Sequence, residues 1–225
     1  VETESTMQNM NMSGTCPFCR AKTPTSHEEI IKYLHPWVKK KKAWAQNLMG
    51  QQYKKGEGVK QSFEISRELF ELAAEQGDAN AMLNLGNMYR YGQSVEQSYE
   101  RAVEYFEQAA VLGQVEAQFT SGLMYKNGHG VKQSFEIARE LFELAAEQGD
   151  ANAMLNLGNM YRYGQGVEES YKRAKEYYQQ ANDAAQHNLG NINFEQQAYW
   201  ELYWVMWLCV MFLLHYYTIY FSTFL

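Results

Sequence analysis

Proline is scarce, with three in 225 residues. That suits a mostly helical chain, because proline breaks helix interiors. Basic charge is not in excess: the net charge is −6 and the pI is about 5.5. A general nucleic-acid binder, which carries surplus positive charge, is thereby disfavoured. Cysteine is sparse and odd in number, with Cys16, Cys19 and Cys209 alone. This is no secreted disulfide framework, so a reducing, intracellular compartment is expected. No secretory signal opens the chain, since residues 1–15 are polar and lack an apolar core. The chain begins at Val1 rather than Met, and a fragment of a longer protein is the expectation. Catalytic motifs are also missing. The five histidines, His27, His35, His129, His187 and His215, sit in no metal or nucleophile pattern. The Gly-x-Gly triplets at 56–58, 128–130 and 164–166 follow helical rather than strand patterning, so they are not dinucleotide fingerprints. The expectation is a chain that is not an enzyme and holds no cofactor of its own.

What is present is repetition. Residues 60–95 and 132–167 match at all but two of 36 positions, Ser66/Ala138 and Ser94/Gly166. A more diverged copy lies between them, and the period is 36 residues. Gly50, Gly86, Gly122 and Gly158 share one register, as do Tyr53, Tyr89, Tyr125 and Tyr161. Phe70, Phe106, Phe142 and Tyr178 share another.

Each unit reads as two helices. The first, at about 79–91, places Ala81, Leu85, Met88 and Tyr89 on one face. Gly86 lies inside it at a cost of roughly 1 kcal/mol against alanine, which implies a close approach that leaves no room for a Cβ. Gly92 fits the left-handed position that ends a helix. Ser62, Ser98, Ser134 and Ser170 are N-cap candidates for the second helix, which spans about 63–76 and stops before Gly77. One hairpin cannot bury its apolar face alone, whereas stacked hairpins can. The fold class expected is all-α: an α-solenoid of about four helix-turn-helix repeats, with a hydrophobic C-terminal helix.

The pattern in Ala153-MLN-Leu157-Gly158-NM-Tyr161-RY-Gly164-Q-Gly166-Val167, followed by A-x3-[FY]-x2-AA, resembles the Sel1-like repeat, a relative of the tetratricopeptide repeat. The resemblance covers about residues 43–192. It implies a scaffold that binds a protein or peptide on the concave face of the solenoid. There are departures: Ser121 stands where Leu85 and Leu157 do, and Gly190 follows Gly158 by 32 residues rather than 36.

Upstream, Cys16-Pro17-Phe18-Cys19 is a C-P-x-C element, and two thiolates at this spacing can reach one tetrahedral zinc. It resembles the last ligand pair of a RING finger, a module found ahead of Sel1-like repeats. That likeness implies an alternative function, the substrate-recruiting part of a truncated RING-type ubiquitin ligase. A full-length form would then hold zinc and engage an E2 enzyme. Nothing before Cys16 is Cys or His, so Cys16 and Cys19 become metal ligands only in a RING completed upstream. Otherwise they are ordinary thiols. The chain divides into residues 1–25, a disordered segment or RING remnant; 26–42, a connecting helix; 43–192, the solenoid; and 193–225, a hydrophobic tail.

In the connecting helix, Ser26 and Glu29 form a capping box, and Pro36 is expected to kink or end it. Lys39 to Lys42 are either a patch for import or an acidic partner, or a solvated face. From Leu202 to Leu225 no charged side chain occurs. At 1.5 Å per residue this stretch reaches about 36 Å, against a bilayer core of about 30 Å. A membrane anchor through 202–225 is one reading. A gene-model artefact and a buried solenoid cap are the others.

The tetratricopeptide likeness implies that the first helices line the groove. The candidate partner-binding residues are Asn80, Asn87 and Arg90, their equivalents Asn152, Asn159 and Arg162, and Lys126. Asparagine can satisfy a peptide backbone and arginine can pair with a carboxylate. The alternative is a face kept polar for solubility.

Overall fold

The computed structural model describes residues 26–184, which are helical between short turns. The helices are α1 (His27–Lys39), α2 (Ala43–Lys55), α3 (Phe63–Ala74), α4 (Ala79–Tyr91), α5 (Tyr99–Val111), α6 (Val115–Asn127), α7 (Phe135–Glu147) and α8 (Ala151–Tyr163). A ninth, α9, spans residues 171–184. From α2 onward they pair as first and second helices of four repeats. Each of α3, α5 and α7 packs against its own first helix and against that of the next repeat. The result is a solenoid.

Local chemistry sets the helix bounds. Ser62, Ser98 and Ser134 are extended and accept a hydrogen bond from the backbone N–H three residues on, which satisfies a donor the helix leaves orphaned. Asp78 and Asp150 cap α4 and α8 in the same way, and Gln114 caps α6. Gly92 takes φ 66 and ends α4. The second helix α3 stops at Ala74, two residues short of the expected end. The Gln76, Gly77 and Asp78 N–H groups fold back onto the carbonyls of Ala73 and Ala74, so the last residues form the reversing turn.

The seam within each repeat is a glycine facing an aromatic ring. A Cβ on Gly86 would stand 2.5 Å from Phe106 Cε1, and Phe106 is fully buried. Gly50 meets Phe70, Gly122 meets Phe142 and Gly158 meets Tyr178 in the same manner. Around each ring lie small residues such as Ala73, Ala81, Ala109 and Ala117, all fully buried. The missing Cβ lets the two helices close, and each buried phenylalanine contributes roughly 2–3 kcal/mol. Ser121 is buried too, and its hydroxyl has no partner among the described residues.

The helix at the N-terminal end belongs to the same scheme. Ser26 lies 36 residues before Ser62, and buried Leu34 lies 36 before Phe70. A Cβ on Gly58 would press on the His27 backbone at 2.6 Å, as one on Gly130 would press on Tyr99. Thus α1 fills the place of a second helix and covers α2. It runs through Pro36 to Lys39 rather than ending there. Pro36 and Lys32 are both exposed, so the carbonyl deprived of its intrahelical donor faces solvent. The lysine run forms the turn into α2, with Lys40 Nζ 5.0 Å from the centre of the Trp37 ring.

Two helices of identical sequence, α4 and α8, end up in different surroundings. Leu83 is 7% exposed and Leu155 is 43% exposed. The next repeat's α6 lies beside α4, whereas among the described residues α8 has no such successor. Residues 1–25, with Cys16 and Cys19, and residues 185–225, with the shortened last interval and the hydrophobic tail, lie outside the described residues. No helix among the described residues is long and apolar enough to cross a membrane.

Candidate protein-interaction face

The first helices α2, α4, α6 and α8 share one face of the solenoid, and side chains on it bridge successive repeats. Lys54 Nζ donates to Asn84 Oδ1 at 3.4 Å. One double period later, Lys126 Nζ donates to Asn156 Oδ1 at 3.0 Å. Asn84 Nδ2 is 3.4 Å from Asn47 Oδ1, and Gln114 Nε2 is 3.5 Å from Asn80 Oδ1. Within a repeat, exposed Gln76 Nε2 donates to buried Gln46 Oε1 at 2.6 Å, and exposed Gln148 Nε2 donates to buried Gln118 Oε1 at 2.8 Å. These amide pairs satisfy polar groups that the stacking would otherwise desolvate at a cost.

The expected contact residues fall into two groups. Asn80, Asn152, Arg90, Arg162 and Lys126 lie along this face or its rim. Asn152 and Arg162 are exposed, and Asn80 and Arg90 are half-buried. The Arg90 and Arg162 guanidinium groups each lie 5.3 Å from the ring centres of Tyr91 and Tyr163, a cation–π distance. Asn159 is engaged inside its own repeat, where its Oδ1 accepts from the Tyr178 hydroxyl at 2.7 Å. Asn87, its equivalent, is half-buried. Sequence reasoning passed over Lys54, Asn84 and Asn156. The signal existed: Lys54 is 36 residues before Arg90, and the two asparagines sit one turn after Asn80 and Asn152.

Electrostatically the array is divided. The four first helices carry five basic residues, Lys54, Lys55, Arg90, Lys126 and Arg162, against one acid, Glu116. The second helices α3, α5 and α7 carry ten acids and three bases, while α9 carries three bases and two acids. Burial draws the Lys54 ammonium below its ordinary pKa, partly opposed by Glu116, and burial lowers Lys126 likewise. At the N-terminal end of the face a recess of about 560 Å³ opens between Trp44, Asn47, Leu48, Asn80 and Leu112. Elsewhere, the Tyr125 hydroxyl donates to Glu107 Oε1 at 2.5 Å. That bond, helped by burial, pushes its pKa up to about 12. No three His, Cys, Asp or Glu side chains converge to hold a metal among the described residues.

The Sel1 repeat family model matches residues 45–78, 79–113, 115–150 and 151–185. Among solved structures, a Sel1 repeat protein from Oxalobacter formigenes superposes with a TM-score of 0.67 at 32% identity. That match covers 70% of this chain and 62% of that one. A protective antigen of uropathogenic Escherichia coli strains, displaying an SLR fold, superposes with the same TM-score at 29% identity, covering 72% of this chain and 34% of its own. The chain therefore spans about three fifths of the length of the first of these relatives and about a third of the second. An immunity protein from Pseudomonas aeruginosa shares the fold at 21% identity and a TM-score of 0.51, over 79% of this chain and 64% of its own. No curated protein matches the chain.

Proposed function

Since the chain belongs to the Sel1 repeat family, we propose that it is a protein–protein interaction scaffold whose partner lies along the face of the first helices. The observation that carries this reading is the continuity of that face. Amides and cations from successive repeats line it side by side, and none of its four periodic cations forms an ion pair among the described residues. Such a surface offers donors and acceptors to an extended backbone on a rigid support.

Photo-crosslinking residues placed singly test the docking face. Two positions belong to the first helices, Tyr91 and Asn152, and two to the second helices, Leu72 and Leu144; all four are exposed. Crosslinks to partner proteins concentrated at Tyr91 and Asn152 support the proposal. Crosslinks confined to Leu72 and Leu144 would move the docking surface to the other side. The finer reading, substrate recruitment for a RING-type ligase, rests on Cys16 and Cys19 alone. Ubiquitin chains formed with E1, E2 and ATP by a longer form that supplies the remaining zinc ligands upstream, and not by this chain alone, are the result that would favour it.

A further inference from the structure

The four basic side chains of the first-helix face form a ladder. Lys54, Arg90, Lys126 and Arg162 recur every 36 residues, each in the last turn of its helix. A cation there also complements the helix dipole, but the dipole alone does not explain the placement. The second helices α3, α5 and α7 end with no basic residue in the last turn. The orientation is also specific. Lys54 and Lys126 reach sideways to the asparagine of the next first helix instead of folding back on their own carbonyls. Arg90 and Arg162 lie over exposed tyrosine rings. None of the four is neutralised by a carboxylate within ion-pair distance among the described residues. Glu116 is the one acid of the first helices, and it acts on Lys54 from further away. All this positive charge is collected on one side of a chain whose net charge is −6.

We propose that this ladder selects an extended acidic segment of the partner protein, whose carboxylates engage Lys54, Arg90, Lys126 and Arg162 in succession. The inference rests on the docking reading above and adds the partner's chemistry to it. Successive first helices lie close enough for one lysine–asparagine bond to span them, about 10 Å for neighbouring helices, and an extended chain advances about 3.3 Å per residue. Acidic side chains about every third residue therefore match the rungs. The partial burial of Lys54 and Lys126, which already disfavours their charged form, makes an arriving carboxylate worth more than it would be in open solvent. Nucleic acid is the less suitable anion, because the acidic second helices and the net charge repel a long phosphate chain.

The test is fluorescence anisotropy with the full chain and four labelled probes. One is a peptide of repeated Glu-Ser-Gly, one is its Lys-Ser-Gly counterpart, one has the same glutamates in a single block, and one is an oligothymidylate. The repeated Glu peptide should bind at least about tenfold more tightly than the Lys peptide and weaken as salt rises. The double variant Arg90→Gln/Lys126→Gln should lose about tenfold or more in affinity for it. Lys60→Gln/Lys132→Gln removes the same charge from exposed loop positions and should change binding by less than about twofold. Circular dichroism melts check that both double variants remain folded. Equal losses in the two double variants, or binding of the Lys peptide or the oligonucleotide as tightly as the Glu peptide, would overturn the proposal. A blocked-Glu peptide binding as well as the spaced one overturns the every-third-residue register. Failure of acid selectivity with crosslinks still at Tyr91 and Asn152 removes the acidic partner and leaves the docking face. Crosslinks at Leu72 and Leu144 alone remove both.

Discussion

Replacing Gly86 by alanine sets two effects of known size against each other. Alanine is favoured over glycine inside a helix by roughly 1 kcal/mol. Gly86, however, faces the Phe106 ring, and its new Cβ would stand 2.5 Å from Cε1, 2.6 Å from Cδ1 and 3.0 Å from Cζ. Phe106 is fully buried and enclosed by Ala102, Val103 and Ala109 of the same core, so the ring has no free space to retreat into. Forcing a methyl into a filled core costs about 1–3 kcal/mol, and a 2.5 Å approach to an enclosed ring belongs to the upper part of that range, about 2–3 kcal/mol. The net expectation is a loss of about 1–2 kcal/mol, measured as a lower midpoint in urea with an unchanged slope. Gly77→Ala serves as the contrast. Nothing stands within 4 Å of its Cβ, but its φ is +84°, so its loss of about 1–2 kcal/mol comes from backbone strain alone. Adding Phe106→Leu should offset part of the Gly86→Ala loss through a favourable coupling of about 1 kcal/mol, and should give no coupling with Gly77→Ala. A Gly86→Ala protein as stable as the parent, or more stable, would refute the close-approach argument.

The two copies of ANAMLNLGNMYRY allow a further comparison: Leu83→Ala should cost about 2–3 kcal/mol and Leu155→Ala under about 1 kcal/mol, because only Leu83 is covered. Equal losses in urea unfolding would contradict the difference in burial. Ser94 holds φ +61° where its sister loop has Gly166, so Ser94→Gly should stabilise by about 1 kcal/mol; a lower thermal midpoint would count against this. The Tyr125 pKa lies above its ordinary 10, so its folded form holds the proton longer than the unfolded chain does. Its contribution is complete below about pH 10 and fades as pH rises toward 12. Tyr125→Phe should remove a late tyrosinate absorbance step and flatten that part of the alkaline stability loss.

Much of the fold was legible because its determinants are local. The serine and aspartate caps, the glycine stops and the apolar stripe act within one helix or turn, and α4 begins and ends where its pattern says. The glycine opposite an aromatic ring was also readable, since the 36-residue period puts Gly86 and Phe106 in fixed relation. Part of the site was readable by the same means: Arg90, Lys126 and Arg162 stand in one register, and Lys54 completes it. The place of α1 could have been read from Ser26 and Leu34, one period ahead of Ser62 and Phe70.

The remainder depends on contacts between repeats. Nothing within α4 says that Asn84 meets Lys54 from 30 residues away, or that Asn159, equally polar and only three residues after Asn156, turns instead to Tyr178. Side-chain partners are chosen by which helix lies alongside, and that is settled only when the hairpins stack. Burial follows the same rule. The sequence by itself determined where each helix starts, stops and turns its apolar face, because those choices are made by hydrogen bonds and sterics within a few residues. Only the tertiary structure decided which copy of one helix is covered and which cations form no ion pair along a shared face among the described residues, because burial and charge pairing belong to neighbours that a single repeat does not contain.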